Sequence, residues 1–165
     1  MHGPRSARGT RPRDRTSANE VRAGPSPHST RRAASRPKQE REVASHQYGS
    51  AIAELVNELL NDHSREYPPG TPPLPEAEVA RLSAAVPGWE RDGNGYLTRE
   101  FAFDDFSGAF ELVARVALLA QAESHHPRMA LEWGRAAFTT WTQTAAGLTR
   151  NDFILAAKID QLAGT

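Results

Sequence analysis

The chain has 165 residues, enough for one domain with a substantial core only if most of it folds. It has no cysteine, which excludes disulfides, a thiolate nucleophile and cysteine-bound metal. Its formal net charge is zero, yet roughly the first 48 residues carry about +7 and the remainder about −7. No apolar run approaches the roughly 20 residues that span a bilayer and no signal-peptide core is visible, so the expectation is a soluble, cytoplasmic protein without membrane contact.

Residues 1–46 are rich in Arg, Pro, Ser, Gly and Ala and almost devoid of large apolar side chains. Such a segment cannot bury enough surface to offset its ordering entropy, and a disordered tail is expected. Arg11-Pro12-Arg13-Asp14-Arg15 and Arg31-Arg32 could touch phosphates. No aromatic is interleaved with them, which disfavours nucleic-acid binding. A transit peptide fits the Arg and Ser content but not the prolines. A start site assigned too far upstream in a high-GC gene would give the same composition. The favoured reading is a tail without specific function.

The pattern changes at Gly49. Ile52, Leu55, Val56, Leu59 and Leu60 recur at helical spacing opposite Glu54, Asn57, Glu58 and Asn61, predicting a short amphipathic helix over 49–62, within a segment 47–64 outside the main domain. It either packs on that domain or docks on a protein partner. Residues 65–75, with five prolines, read as an extended linker.

The folded domain is expected over 76–165. Val79, Leu82 and Val86 mark a helix from Glu76 to Val86, ended by Pro87-Gly88. Trp89–Arg91 and Tyr96–Phe103 flank Asp92-Gly93-Asn94-Gly95, a tight-turn signal that predicts a β-hairpin. Calcium binding is rejected for this loop, because Tyr96 and Leu97 stand where an EF-hand needs an oxygen ligand and glycine. Asp104 or Asp105 caps a central helix running to about Glu123, with Phe106, Ala109, Phe110, Val113, Val116, Ala117 and Ala120 in its apolar stripe.

His125-His126-Pro127 follows. Histidine alone has an unperturbed pKa near neutrality, and the proline stops the helix and restricts the backbone where the rings emerge. Met129–Trp133 and Arg135–Gln143 read as two strands joined near Gly134, in which Trp133, Phe138 and Trp141 pack on the sheet and Trp141 can narrow a pocket mouth. Gly147 makes a turn. Thr149 caps a last helix with Asp152 completing a capping box, and Leu155, Ala156, Ile159 and Leu162 form its buried face. The element order predicts an α+β fold, a four-stranded antiparallel sheet with helices packed on one face.

Pro87-Gly88-Trp89, the Phe-x-Phe-x-x-Phe of 101–106, Arg115-Val116-Ala117, His125-His126-Pro127 with Trp133 six residues beyond, and Thr142 before Ala146-Gly147-Leu148-Thr149 and Asp152 form an ordered set. From about Pro73 to Ala163 this set resembles the pterin-4a-carbinolamine dehydratases, also called 4a-hydroxytetrahydrobiopterin dehydratases. The resemblance implies removal of water from a 4a-hydroxytetrahydropterin to give the quinonoid dihydropterin, with no metal and no cofactor. This recycles the pterin used by aromatic amino acid hydroxylases. It implies His125 and His126 as the catalytic acid and base, Thr142 and Gln143 as substrate-binding residues, and a homodimer or homotetramer joined through sheet edges and helices. The family's third histidine falls on Gln143, an amide with no usable proton equilibrium; loss of one acid/base group ordinarily costs about 10²- to 10⁴-fold in rate. The alternative that the family offers is a catalytically impaired member acting as a protein-binding factor, of Rubisco-assembly or transcriptional-coactivator type. A metal site is not expected, since adjacent side chains in an extended segment diverge.

Overall fold

The computed structural model of the protein describes residues 38–165, with side chains from Gln47 onward except Tyr48. The expected tail over 1–37 lies outside the described residues. Its last part, 38–46, is helical: α1 spans Lys38–Asn61 and starts well before the expected boundary. The residues after Pro37 are mostly Lys, Gln, Glu, Arg and Ala, good helix formers that a low hydrophobic content conceals.

Beyond α1 the chain forms α2 (Glu76–Ser83), β1 (Glu90–Arg91), β2 (Leu97–Ala102), α3 (Phe106–Glu123), β3 (Arg128–Glu132), β4 (Arg135–Thr140), a 3-10 turn at Gln143–Ala145, and α4 (Arg150–Ala163). The strands form one antiparallel sheet in the order β1-β2-β4-β3. Between β1 and β2 the Asp92 carboxylate accepts from the N–H groups of Asn94 and Tyr96, so it serves the turn. At the β3–β4 turn Gly134 has φ 67°, and a Cβ there would meet the Phe103 carbonyl oxygen at 2.8 Å. Only glycine fits both demands.

The expected alternation is visible in the two central strands. Leu97 and Phe101 of β2, and Ala136, Phe138 and Thr140 of β4, point to one face and are buried. Phe101 meets Phe138 edge to face, with ring centroids 5.9 Å apart. Helices α3 and α4 cover this face, α3 through Ala109, Leu112, Val116 and Ala120. Trp133, expected to pack on the sheet, is 77% exposed at the tip of the β3–β4 turn, beyond the reach of the core. Phe138 is fully buried, and Trp141 is half-buried, stacked on Tyr96 at 4.7 Å.

Helix α4 is buried on nearly every side from Asn151 to Ala157. A helix apolar around most of its circumference needs neighbours on opposite sides, and α1 provides the second one. Leu55 and Leu59 of α1 enter the same core as Phe153, Leu155 and Ile159. Arg150 of α4 reaches Glu58 and Asp62, each at 2.7 Å, and Lys158 donates to the Asp62 carbonyl oxygen at 2.7 Å. Of the two roles open to this helix, packing on the domain is the one observed. No helix among the described residues is long and apolar enough to cross a membrane.

Candidate active site

Helix α3 ends in a left-handed residue, Ser124 (φ 52°), whose N–H turns back to the last carbonyls; the His125 N–H bonds the Ala120 carbonyl oxygen at 3.1 Å. This Schellman-type end, rather than Pro127, stops the helix. A non-glycine residue in that conformation costs about 1 kcal/mol. It swings the chain so that His125 points inward while His126 stays exposed.

His125 is 8% exposed, and its Nε2 lies 2.7 Å from Asp152 Oδ1 and 3.1 Å from Thr140 Oγ1. Thr140 Oγ1 itself donates to Asp152 Oδ1 at 2.7 Å. The other carboxylate oxygen, Oδ2, accepts from Thr142 Oγ1 at 2.9 Å and from the Thr149 N–H at 2.8 Å. With the carboxylate accepting throughout and the Thr140 hydroxyl proton committed to it, the network assigns the imidazole proton to Nε2. Nδ1 is then the acceptor nitrogen, and it has no partner among the described residues.

The capping box expected from Thr149 and Asp152 is present. Asp152 also holds His125, a link across 27 residues that a local capping pattern does not reveal. Thr142, expected to contact substrate, lies along the cleft, but its hydroxyl bonds Asp152 and, at 2.7 Å, Thr149. Its backbone leaves β4 and pairs in an isolated bridge with Gly147. The strand expected to reach Gln143 ends at Thr140, and Gln143 opens the 3-10 turn as an exposed residue.

His125, His126, Thr142 and Gln143 line one cleft of about 460 Å³, together with Ser124, Trp141, Thr144 and Asn151. That is the size of a small-molecule site. Its remaining wall comes from Arg65, Glu66, Tyr67 and Pro69, residues of the expected linker. This strap is tied down. Ser64 N–H donates to Glu123 Oε2 at 2.8 Å, and His63 Nδ1 lies 3.2 Å from Glu123 Oε1. Asn151 accepts from the Arg65 N–H at 3.0 Å and donates to its carbonyl oxygen at 2.7 Å. Farther on, the Gly70 N–H bonds the Thr144 carbonyl oxygen at 3.2 Å, and the Leu74 N–H bonds that of Leu148 at 2.8 Å. Burial pushes the Glu123 carboxyl up, but the Lys158 ammonium, the Ser64 N–H and His63 together hold it below the ordinary glutamate range. Spacing alone gave no sign of this strap, because its partners lie 59 and 86 residues away.

A second concavity of about 390 Å³ lies against Arg99 and Asp160. Arg99 pairs with Asp160 at 2.7 Å, and Trp89 Nε1 donates to the same oxygen at 2.8 Å, so its two charged groups are already partnered. It contains no acid/base pair comparable to the two histidines.

The family model described as pterin 4 alpha carbinolamine dehydratase matches residues 72–162. A Rubrobacter xylanophilus protein, provisionally named a pterin-4-alpha-carbinolamine dehydratase, is 44% identical over 93 residues, covering 56% of this chain and 87% of its own length. A Chlorobium limicola protein of the same provisional name is 47% identical over 89 residues, covering 52% and 79%. The crystal structure of a transcriptional coactivator/pterin dehydratase from Brucella melitensis superposes with a TM-score of 0.53 at 36% identity, covering 56% of this chain and 99% of that one. On these matches, over the region that carries both histidines and the sheet beneath them, the chain belongs to the pterin-4a-carbinolamine dehydratase family.

Proposed function

We propose that the chain dehydrates a 4a-hydroxytetrahydropterin to the quinonoid dihydropterin. The observation that carries this reading is the pairing of two differently placed imidazoles on one cleft: His125, fixed on Asp152 with Nδ1 free, and His126, exposed beside it. The reaction breaks the C4a–O bond and the N5–H bond and forms one C=N bond. His125 Nδ1 takes the N5 proton, while protonated His126 delivers a proton to the departing hydroxyl, which leaves as water. No electrons change hands, so proton movement alone suffices. The two rings end with exchanged protonation states. Gln143 cannot relay a proton between them, and the exposed His126 resets through solvent. Gln143 and Thr142 serve as non-titrating walls and contacts for the pterin.

A cytoplasmic homodimer or homotetramer accompanies this reading. The outer edge of β3 is unpaired among the described residues, and Phe106, Phe110 and Leu118 are exposed on α3; both features suit association of like chains. The second reading, a catalytically impaired protein-binding member, is favoured by one residue, Gln143, and by the coactivator role in the Brucella neighbour's name.

The test is 4a-hydroxytetrahydropterin dehydration near neutral pH, with the uncatalysed rate subtracted, for wild type, His126→Ala and Gln143→His. A wild-type rate above background that His126→Ala abolishes supports the enzyme. A background rate that Gln143→His raises supports the impaired member. Inactivity of both wild type and Gln143→His removes the dehydratase reading.

A further inference from the structure

We propose that the strap over residues 65–69 is a substrate-binding element, and that the Glu66 carboxylate accepts hydrogen bonds from the amino-pyrimidine edge of the pterin. The inference rests on the dehydratase reading and adds a specificity residue to it. The match to the family model begins at residue 72, so the strap lies outside that match. It nevertheless forms a full wall of the cleft, fixed at Glu123, Asn151 and Thr144. A segment held by backbone hydrogen bonds at both ends presents its side chains at defined places, as ligand contact requires.

Within that wall Glu66 stands apart chemically. It is the one carboxylate lining the cleft, and it makes no hydrogen bond or ion pair among the described residues. The other acidic group at the site, Asp152, lies behind His125 with its oxygens already engaged. A pterin presents two adjacent donors, N3–H and the 2-amino group, and two adjacent donors match the two oxygens of a carboxylate. The histidines need the opposite, pyrazine side of the bicycle, where C4a and N5 react. A bicycle with its reacting atoms at His125 and His126 therefore leaves its donor edge for another wall. Gln143 offers an amide there at most, whereas Glu66 offers the charged acceptor. Tyr67, half-buried beside it, supplies a flat side to the same wall.

The experiment is a fluorescence titration of wild type and Glu66→Gln with two stable pteridines. One is pterin (2-amino-4-oxopteridine) and the other lumazine (2,4-dioxopteridine), which replaces the 2-amino donor by a carbonyl. Wild type should bind pterin more tightly than lumazine. Glu66→Gln should weaken pterin binding about tenfold or more and bring the ratio of the two affinities toward one, since loss of a matched polar contact removes discrimination. Thermal melting should be unchanged, because Glu66 holds no other residue. Wild-type affinity and ratio in Glu66→Gln would overturn the assignment while leaving the dehydratase reading in place, and so would an equal loss for both ligands. A wild type that binds neither pteridine removes the pterin reading itself, and the role of Glu66 with it.

Discussion

The Asp152 carboxylate of α4 and the His125 ring at the end of α3 meet at 2.7 Å, and neither residue is more than 8% exposed. The same carboxylate closes the capping box of α4, so one buried group orients the histidine and starts the helix. Its two oxygens divide the work. Oδ1 faces His125 and Thr140, and Oδ2 faces Thr142 and Thr149.

That division predicts a double effect for Asp152→Asn. The amide would present donors to groups that already donate, destabilising the protein by about 1–3 kcal/mol. It would also release the imidazole tautomer, lowering the dehydration rate by about 10²-fold or more. Pterin affinity, carried by other walls of the cleft, should change only a few-fold. Urea denaturation and steady-state kinetics measure the two effects, and an unaltered rate in a folded variant would exclude Asp152 from positioning His125.

The two histidines should separate in stability. His126 is exposed and makes no hydrogen bond among the described residues, so His126→Ala should change stability by less than about 0.5 kcal/mol while removing turnover. His125→Ala leaves a buried carboxylate short of a partner and should cost about 1–3 kcal/mol as well as activity. Equal destabilisation by the two would contradict the contrast in their burial.

The antiparallel sheet, the α4 face and the Thr149–Asp152 cap were legible because each rests on a local pattern: period two, period 3.6, or a fixed three-residue offset. The α3 stripe was legible only in part: Ala109, Val116 and Ala120 are buried as expected, but Phe106, Phe110 and Ala117 are exposed, and Leu112 takes the core position instead. His125-His126 was legible through chemistry and resemblance together. The Asp152–His125 bond and the Glu123 and Asn151 ties to the strap were not, since each joins segments distant in sequence and serves residues with sufficient local explanations. Trp133 shows the converse. Its size suggested packing, but the turn that Gly134 makes carries it past the edge of the core.

Helix α1 lies before the family-matched region, yet Leu59 is fully buried in the shared core. Leu59→Ala should therefore destabilise the whole folded unit by about 2–5 kcal/mol, the range for truncating a buried leucine. The measure is a single cooperative unfolding transition followed at Trp89 and Trp141 and by circular dichroism. An early, separate loss of helical signal would instead make α1 an independent appendage.

Glu123 joins α3, α4 and the strap, with Lys158 and His63 as the charged or titratable groups facing it. Its carboxyl is held below the ordinary glutamate value of about 4.5. A carboxyl lowered by folding adds stability above its unfolded value and loses it as pH falls through the folded one. Glu123→Gln should be less stable than wild type at pH 7 by roughly 2 kcal/mol or more, since it leaves the Lys158 ammonium largely buried without its counter-charge. The gap between the two proteins should narrow as pH falls below about 4.5. Asp62 and Glu78, also lowered by their arginine partners, titrate in both proteins and largely cancel in the difference. The measurement is urea denaturation of both proteins from pH 7 to pH 3. A gap that stays constant over that span would mean that Glu123 ties the strap by shape and neutral hydrogen bonds rather than by charge.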